Sequence, residues 1–258
     1  MWIALTHIIS PNINNCELTF MNREPIDYQL AMQQHENYCS LLRACGAEVV
    51  KLSGSLAHPD CCFTEDTAIV VDELGIICSM GVLSRRGEIS AVEKELAKYR
   101  PIAHINLPAM IEGGDVLQAG KTIFVGISKR TNAQGIEEVA RLLKPRGYEV
   151  IPVQVKGSLH LTTAASAIDD ETFLLNPLWA DPAPFKNFNL LYSPEDEPWG
   201  ANTFRVGDTI CAEASFPKTI ELLRRHHDRV EALDISEFRK AEAGLSCLSL
   251  IFRDGNQG

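Results

Sequence analysis

The feature that most constrains this chain is an order of elements, strand–strand–helix–strand, that recurs along its length with a piece missing at the front and a piece left over at the back. Residues 3–9 read as a buried strand. A helical pattern follows over 27–45, with Tyr28, Ala31, Tyr38, Leu41, Leu42 and Cys45 on one side, then Gly46 and a strand over 48–52. No strand precedes the first. The second unit is a strand at 68–71 entered from a polar loop, a turn at 72–75, a partner strand at 76–80, a helix over 88–98 and a strand over 101–107. The third pairs 115–117 with 122–126 around Ala119-Gly120. A helix capped by Thr131 or Asn132 and ended by Pro145 and Gly147 then leads to a strand over 148–155.

The fourth unit is weaker. Residues 161–168 are expected to pair with 172–176, and the Pro-rich ADPAPFKN leaves room only for a short or distorted helix before 188–192. The fifth has strands at 202–206 and 209–212, a helix over 216–228 and a strand over 230–233. The run 247–252 then stands alone. Circular closure satisfies both odd ends: 247–252 becomes the opening strand of the first unit, and free sheet edges disappear. The expectation is an α/β chain of five ββαβ units in a closed ring, a single domain over residues 1–258. A doubly wound sheet is the simpler competitor, but the repeated hairpin turns count against it, since parallel crossovers do not need them. The nearest candidates for a phosphate loop, IEGGDV and PRGYEV, lack the spacing.

A formal charge of −10 argues against a nucleic-acid partner, because phosphate neutralisation needs clustered Lys and Arg that no segment supplies. The eight cysteines (16, 39, 45, 61, 62, 78, 211 and 247) form no CxxC and no zinc-type Cys/His spacing, and are too sparse for a disulfide scaffold. No apolar run reaches the length of a membrane span, and MWIALTHIIS has neither the basic start nor the cleavage site of a signal peptide. A cytoplasmic protein is expected.

On such a ring the chemically active side chains gather at the strand-to-loop junctions. Asp60, Glu65 and Asp66 stand at the mouth of the second unit, Glu112 at the third, His160 in GSLH at the fourth, and Cys247 where a Gly-containing loop enters the last apolar run. Each has an ordinary reading: inert core thiol, structural histidine, solvated acidic loop. Equivalent positions in a fivefold ring face one axis, however, and there a thiol nucleophile, an imidazole acid–base and a carboxylate that orients it form a working set. Paired carboxylates suit a guanidinium, and Arg85, Arg86 or Arg130 at the same rim could hold a carboxylate. The pocket so described fits an α-amino acid with a guanidino tail.

The motifs PDCCFTEDTA, LSRRGE, NLPAMIEGGDVL, FVGISKRTN, GSLHL and GLSCLSL, in this order along the chain, resemble the dimethylarginine dimethylaminohydrolases of the guanidino-group-modifying superfamily. The resemblance, running from about residue 16 to 252, implies the five-bladed α/β propeller (pentein) fold. It implies hydrolysis of Nω-methylated arginines to citrulline and a methylamine, with no cofactor and no metal. Carried over, Cys247 is the nucleophile, His160 the general acid/base and Glu112 its orienting partner. Asp60 and Asp66 are the acids around the guanidinium, Phe63 and Glu65 line the pocket, and Arg85 and Arg130 bind the substrate α-carboxylate. Leu18 belongs to a lid. Where some relatives carry a second cysteine beside the nucleophile, this chain has Leu248. The alternatives are a compact deiminase acting on free arginine, or a non-catalytic guanidino-binding protein. A homodimer is a candidate assembly.

Overall fold

The computed structural model describes residues 1–255. It opens with β1 (Trp2–His7), α1 (Tyr28–Ala44) and β2 (Ala47–Leu52). The α1 helix starts at Asp27, whose carboxylate accepts the N–H groups of Gln29 and Leu30 at 3.0 and 3.1 Å. Ala31, Gln34, His35, Tyr38, Cys39 and Leu42 form its buried stripe. Gly46 ends it with φ +89°, a left-handed turn that glycine enters without steric cost.

The second unit holds β3 (Ala68–Val71), β4 (Leu74–Ile77), α2 (Ile89–Leu96) and β5 (Ile102–His104). The third holds β6 (Val116–Ala119), β7 (Thr122–Ile127), α3 (Ala133–Leu143) and β8 (Glu149–Gln154). The fourth begins with the single turn α4 (Leu161–Ala164), then β9 (Ala165–Ala167), β10 (Thr172–Leu175) and β11 (Asn189–Tyr192). The fifth holds β12 (Phe204–Val206), β13 (Thr209–Glu213), α5 (Pro217–His226) and β14 (Val230–Leu233). The short α6 (Ser236–Arg239) leads to β15 (Leu250–Arg253).

Every sheet has three strands with the same logic: the first antiparallel to the second, the second parallel to the third across the helical connection. The first sheet obeys it only because β15 pairs antiparallel with β1, Leu5 opposite Leu250 and Trp2 opposite Arg253. The fold is the five-bladed α/β propeller, closed by its last strand. Its core is divided accordingly into five apolar clusters, each filling the wedge between two adjacent blades. The wedge between the fifth and first blades, with Tyr38, Phe204 and Phe238, completes the ring. Blade four has only a 3₁₀ turn, Ala183–Phe185, where the others have a helix. Aromatic stacking replaces the missing apolar face: Phe124 lies 4.3 Å from Phe185 and 5.7 Å from Phe188, ring centre to ring centre.

Three expectations need correction. The β3–β4 hairpin turns at Asp72-Glu73, with Val71 opposite Leu74, so the partner strand starts two residues earlier than 76. Residues 161–164, expected as strand, are a helical turn, fixed by the Leu161 N–H donating 3.0 Å to Asp115 Oδ1 on the neighbouring blade. Cys247 is not on a strand either. It lies in a 3₁₀ turn, Ser246–Leu248, and β15 begins at Leu250. Both turns are buried throughout, and hydrophobicity alone does not separate a buried turn from a buried strand.

Candidate active site

Fivefold repetition explains how the site is assembled. One short helical turn precedes the first strand of each sheet: Thr64–Thr67 before β3, Gly113–Asp115 before β6, Leu161–Ala164 before β9, Pro198–Ala201 before β12 and Ser246–Leu248 before β15. Glu65 and Asp66 sit on the first of these. Glu112 and His160 are the residues that open the second and third, and Cys247 lies in the last. The fifth blade contributes Asn202 just after its turn. Its amide nitrogen donates to Thr162 O at 2.8 Å and Ser246 Oγ at 2.9 Å, while its oxygen accepts the Ser246 N–H at 3.2 Å. Asn202 thus ties the histidine turn to the cysteine turn.

His160 Nε2 lies 2.7 Å from Glu112 Oε2, and its Nδ1 lies 3.5 Å from Asp66 Oδ1. Arg130 donates to both Glu112 oxygens at 3.3 and 3.4 Å, and Gly81 N–H to Oε1 at 2.9 Å. Arg85 donates to Asp66 at 2.6 Å, to Glu88 at 2.9 Å and to Phe63 O at 3.1 Å. All these side chains are buried, so their charges interact with little screening by water. Burial works against a charged imidazole. The carboxylates of Asp66, Glu112 and Asp115 outweigh it and raise His160 to about 9. Burial also works against a charged Glu112, yet the His160 bond and charge, with Arg85 and Arg130, hold it down to about 2. The pair therefore rests as imidazolium and carboxylate.

Cys247 is the opposite case. Burial, then Glu65, then Asp66 push its thiol well above the usual range, while the Gly244 N–H, 3.4 Å from Sγ, and Arg85 pull the other way. Glu65, partly buried beside Asp66, is itself raised to about 7 by desolvation and the Asp66 charge, despite bonds from Ser246 Oγ at 2.9 Å and Thr162 Oγ1 at 3.3 Å. Asp66, Glu112 and His160 each offer an atom within 4.8 Å of one another, a spacing a metal ion could span. Arg85, Arg130 and the imidazolium already supply the positive charge there.

Asp60, Phe63, Asp66, Arg85, Arg130, His160 and Cys247 line one cavity of about 20 Å³, with Glu112 behind His160. Leu18 packs on the apolar cluster between blades one and five. Glu65 faces the other way, into a wider axial cavity of about 610 Å³ whose wall also includes Thr162 and Ser246. Arg86 lies outside, with Nε on Met80 O. Sequence reading missed Glu88, Asp115, Asn202 and Glu242. Of these Glu88 and Asp115 carried a signal, three residues after Arg85 and Glu112 in the same motifs.

The family described as "N,N dimethylarginine dimethylhydrolase, eukaryotic" matches residues 9–175. The N(G),N(G)-dimethylarginine dimethylaminohydrolase of Streptomyces coelicolor is 34% identical over 97% of this chain and 97% of its own. That of Pseudomonas aeruginosa is 32% identical over 88% and 90%. A solved structure of the Pseudomonas aeruginosa enzyme, a cysteine-to-serine mutant complexed with citrulline, matches with a TM-score of 0.92 at 29% identity, covering 98% of this chain and 100% of that one. With the propeller closed and the thiol, imidazole and carboxylates gathered at its axis, the chain belongs to the dimethylarginine dimethylaminohydrolase family.

Proposed function

We propose that Cys247, His160 and Glu112 carry out hydrolysis of Nω,Nω-dimethyl-L-arginine, and of the monomethyl compound, to L-citrulline and dimethylamine or methylamine. The observation that carries this reading is the convergence of Cys247, His160 and Asp66 on one buried cavity, with Arg130 on its wall. The citrulline complex of the Pseudomonas relative supports the same product.

A guanidinium against Asp66 supplies the positive charge that the buried thiol lacks, so substrate binding lowers the cost of releasing the thiol proton to solvent. The Cys247 thiolate attacks the guanidinium carbon and a C–S bond forms. His160, held protonated by its carboxylates, gives its proton to the departing dimethylamine as the C–N bond breaks, leaving a thiouronium on Cys247. The imidazole, now neutral, takes a proton from the water that attacks the same carbon. The C–S bond then breaks as the hydroxyl proton of the adduct passes to the sulfur, releasing citrulline and restoring the Cys247 thiol. Arg130 makes the looser protein contacts, 3.3 to 3.5 Å, and can exchange them for a substrate carboxylate. Arg85 is fully engaged by Asp66, Glu88 and Phe63 O, and contributes charge to the same end.

The test is incubation with asymmetric dimethylarginine, monomethylarginine and arginine separately, measuring citrulline and released amine, with Cys247→Ser alongside. Citrulline and dimethylamine in equal amounts, abolished in the variant, are expected. Citrulline from arginine alone would make the protein a deiminase, and turnover by the variant would remove the mechanism.

A further inference from the structure

The cavity beneath Cys247 holds about one water at 20 Å³, far too little for an arginine derivative, so the segment above it must lift for a substrate to enter. That segment, residues 17–21, has no regular structure and is held by few bonds. Glu17 N–H donates to both oxygens of Asp60 at 3.2 Å, and Arg130 reaches Thr19 Oγ1 at 3.5 Å. The remaining backbone anchor is a single side chain. The carboxylate of Glu242 accepts the N–H of Thr19 at 2.9 Å and also those of Phe20 and Met21. Three successive amides pointing at one acceptor form an anion-binding concavity, and here the anion comes from the protein itself.

Glu242 is placed for this at a conformational cost. It has φ +57°, a left-handed conformation that favours glycine, and is the one non-glycine residue so placed among those described. It is 3% exposed and lines the catalytic cavity with Ala241 and Ala243. Two residues further on, Gly244 gives its N–H to Cys247 Sγ. The same tight turn therefore grips the covering segment on one side and the nucleophile on the other. Half-exposed Phe20, with Lys129 Nζ 4.7 Å from its ring centre, and the Glu17 carboxylate, which accepts from Ser84 Oγ, add surface contacts.

We propose that Glu242 is the latch of the active site, a positioning residue whose carboxylate sets the closed position of residues 17–21 and whose release admits the substrate. A carboxylate suits the role because charge-assisted bonds to several N–H groups are strong when closed, and its charge is readily rehydrated when open. As far as it concerns substrate entry, the inference rests on the proposed hydrolase activity; the latch itself is read without substrate.

Two variants test it. Glu242→Gln keeps size and shape but turns an NH2 group toward the amide donors. Glu242→Gly suits the backbone angle and removes the acceptor, so loss of the turn does not confuse the result. Hydrogen exchange of the Thr19, Phe20 and Met21 amides and the rate of Cys247 alkylation by iodoacetamide, located by peptide mass spectrometry, are measured with KM and kcat. Breaking three backbone bonds should speed exchange at 19–21 and Cys247 alkylation by about tenfold or more in both variants, with exchange in β1 and α1 unchanged. KM should rise by more than kcat falls. Unchanged exchange at 19–21 and unchanged alkylation in folded Glu242→Gly would overturn the latch, as would loss of protection spread through β1 and α1. If wild-type protein yields no citrulline from any methylated arginine, the proposed activity fails, while exchange and alkylation still decide the latch.

Discussion

Glu112 Oε2 and His160 Nε2 stand 2.7 Å apart at the propeller axis, a carboxylate from the third blade against an imidazole from the fourth. This bond, with Asp66 on the other ring nitrogen, keeps His160 charged against its burial. Replacing Glu112 with Gln removes one of the anions and leaves Asp66 and Asp115. The value near 9 should fall, and the alkaline limb of the kcat–pH profile should move to lower pH. kcat itself should drop by about 10²-fold, the usual scale for a mispositioned acid–base group. A full kcat–pH profile of Glu112→Gln checks both; an unmoved alkaline limb would separate His160 from the proton transfers.

Gly114 lies against the same pair. A Cβ there would stand 2.5 Å from Asp66 Oδ1 and 2.7 Å from His160 Nδ1. Neither side chain is free to yield, since Arg85 holds one and Glu112 the other. Gly114→Ala should therefore push the imidazole off its line to the substrate while the fold survives. A loss of roughly 10²-fold in kcat is expected, with overpacking costing about 1–3 kcal/mol of stability. Citrulline assays beside urea unfolding measure the two effects separately.

The charged His160 also makes folding pH-dependent. Its folded value of about 9 lies above the ordinary 6.5, so protonation stabilises the native state fully below pH 6.5, and that contribution is lost as pH rises through 9. The difference corresponds to at most about 3 kcal/mol. Glu65, raised from 4.5 to about 7, acts in the same direction over a lower window, contributing below 4.5 and fading by 7. Urea midpoints should decline between pH 6.5 and 9.5 in the wild type, and much less in His160→Asn. Parallel declines in the two proteins would assign the slope to other groups.

Much of this was legible in the chain. The unpaired run at 247–252 demanded a partner, and β1 supplied it because the first unit lacked an opening strand. Cys247, His160, Glu112 and Asp66 were recognisable because a closed ring sends equivalent positions to one axis. What stayed hidden depends on contacts that no local pattern encodes. The turns at 161–164 and 246–248 are apolar like strands, and their shape comes from distant acceptors, Asp115 for one and Asn202 for the other. Glu242 looks like any surface acid in AEAG until its backbone angle and its three amide donors are seen together.

Asn202 offers the sharpest test of how the blades hold the chemistry in register. It does not line the cavity of Cys247, and its three bonds run from the fifth blade to the turns that carry His160 and Cys247. Asn202→Ala leaves Thr162 O and the Ser246 N–H short of a partner in a buried place, while the Ser246 hydroxyl keeps its bond to Glu65. About 2–3 kcal/mol of stability should be lost, since each unsatisfied buried group costs on the order of 1 kcal/mol or more. Catalysis should suffer beyond that, because relaxing the two turns by a fraction of an ångström moves nucleophile and acid apart; a fall in kcat of roughly tenfold is expected. Asn202→Asp keeps the acceptor for the Ser246 N–H but loses both donated bonds, and adds a charge beside Glu65. It should be worse than alanine above pH 7, where Glu65 is ionised, and closer to it below. Comparing kcat and unfolding midpoints of the two variants at pH 6 and pH 8 decides whether the amide acts as this staple, and equal behaviour at both values would show that it does not.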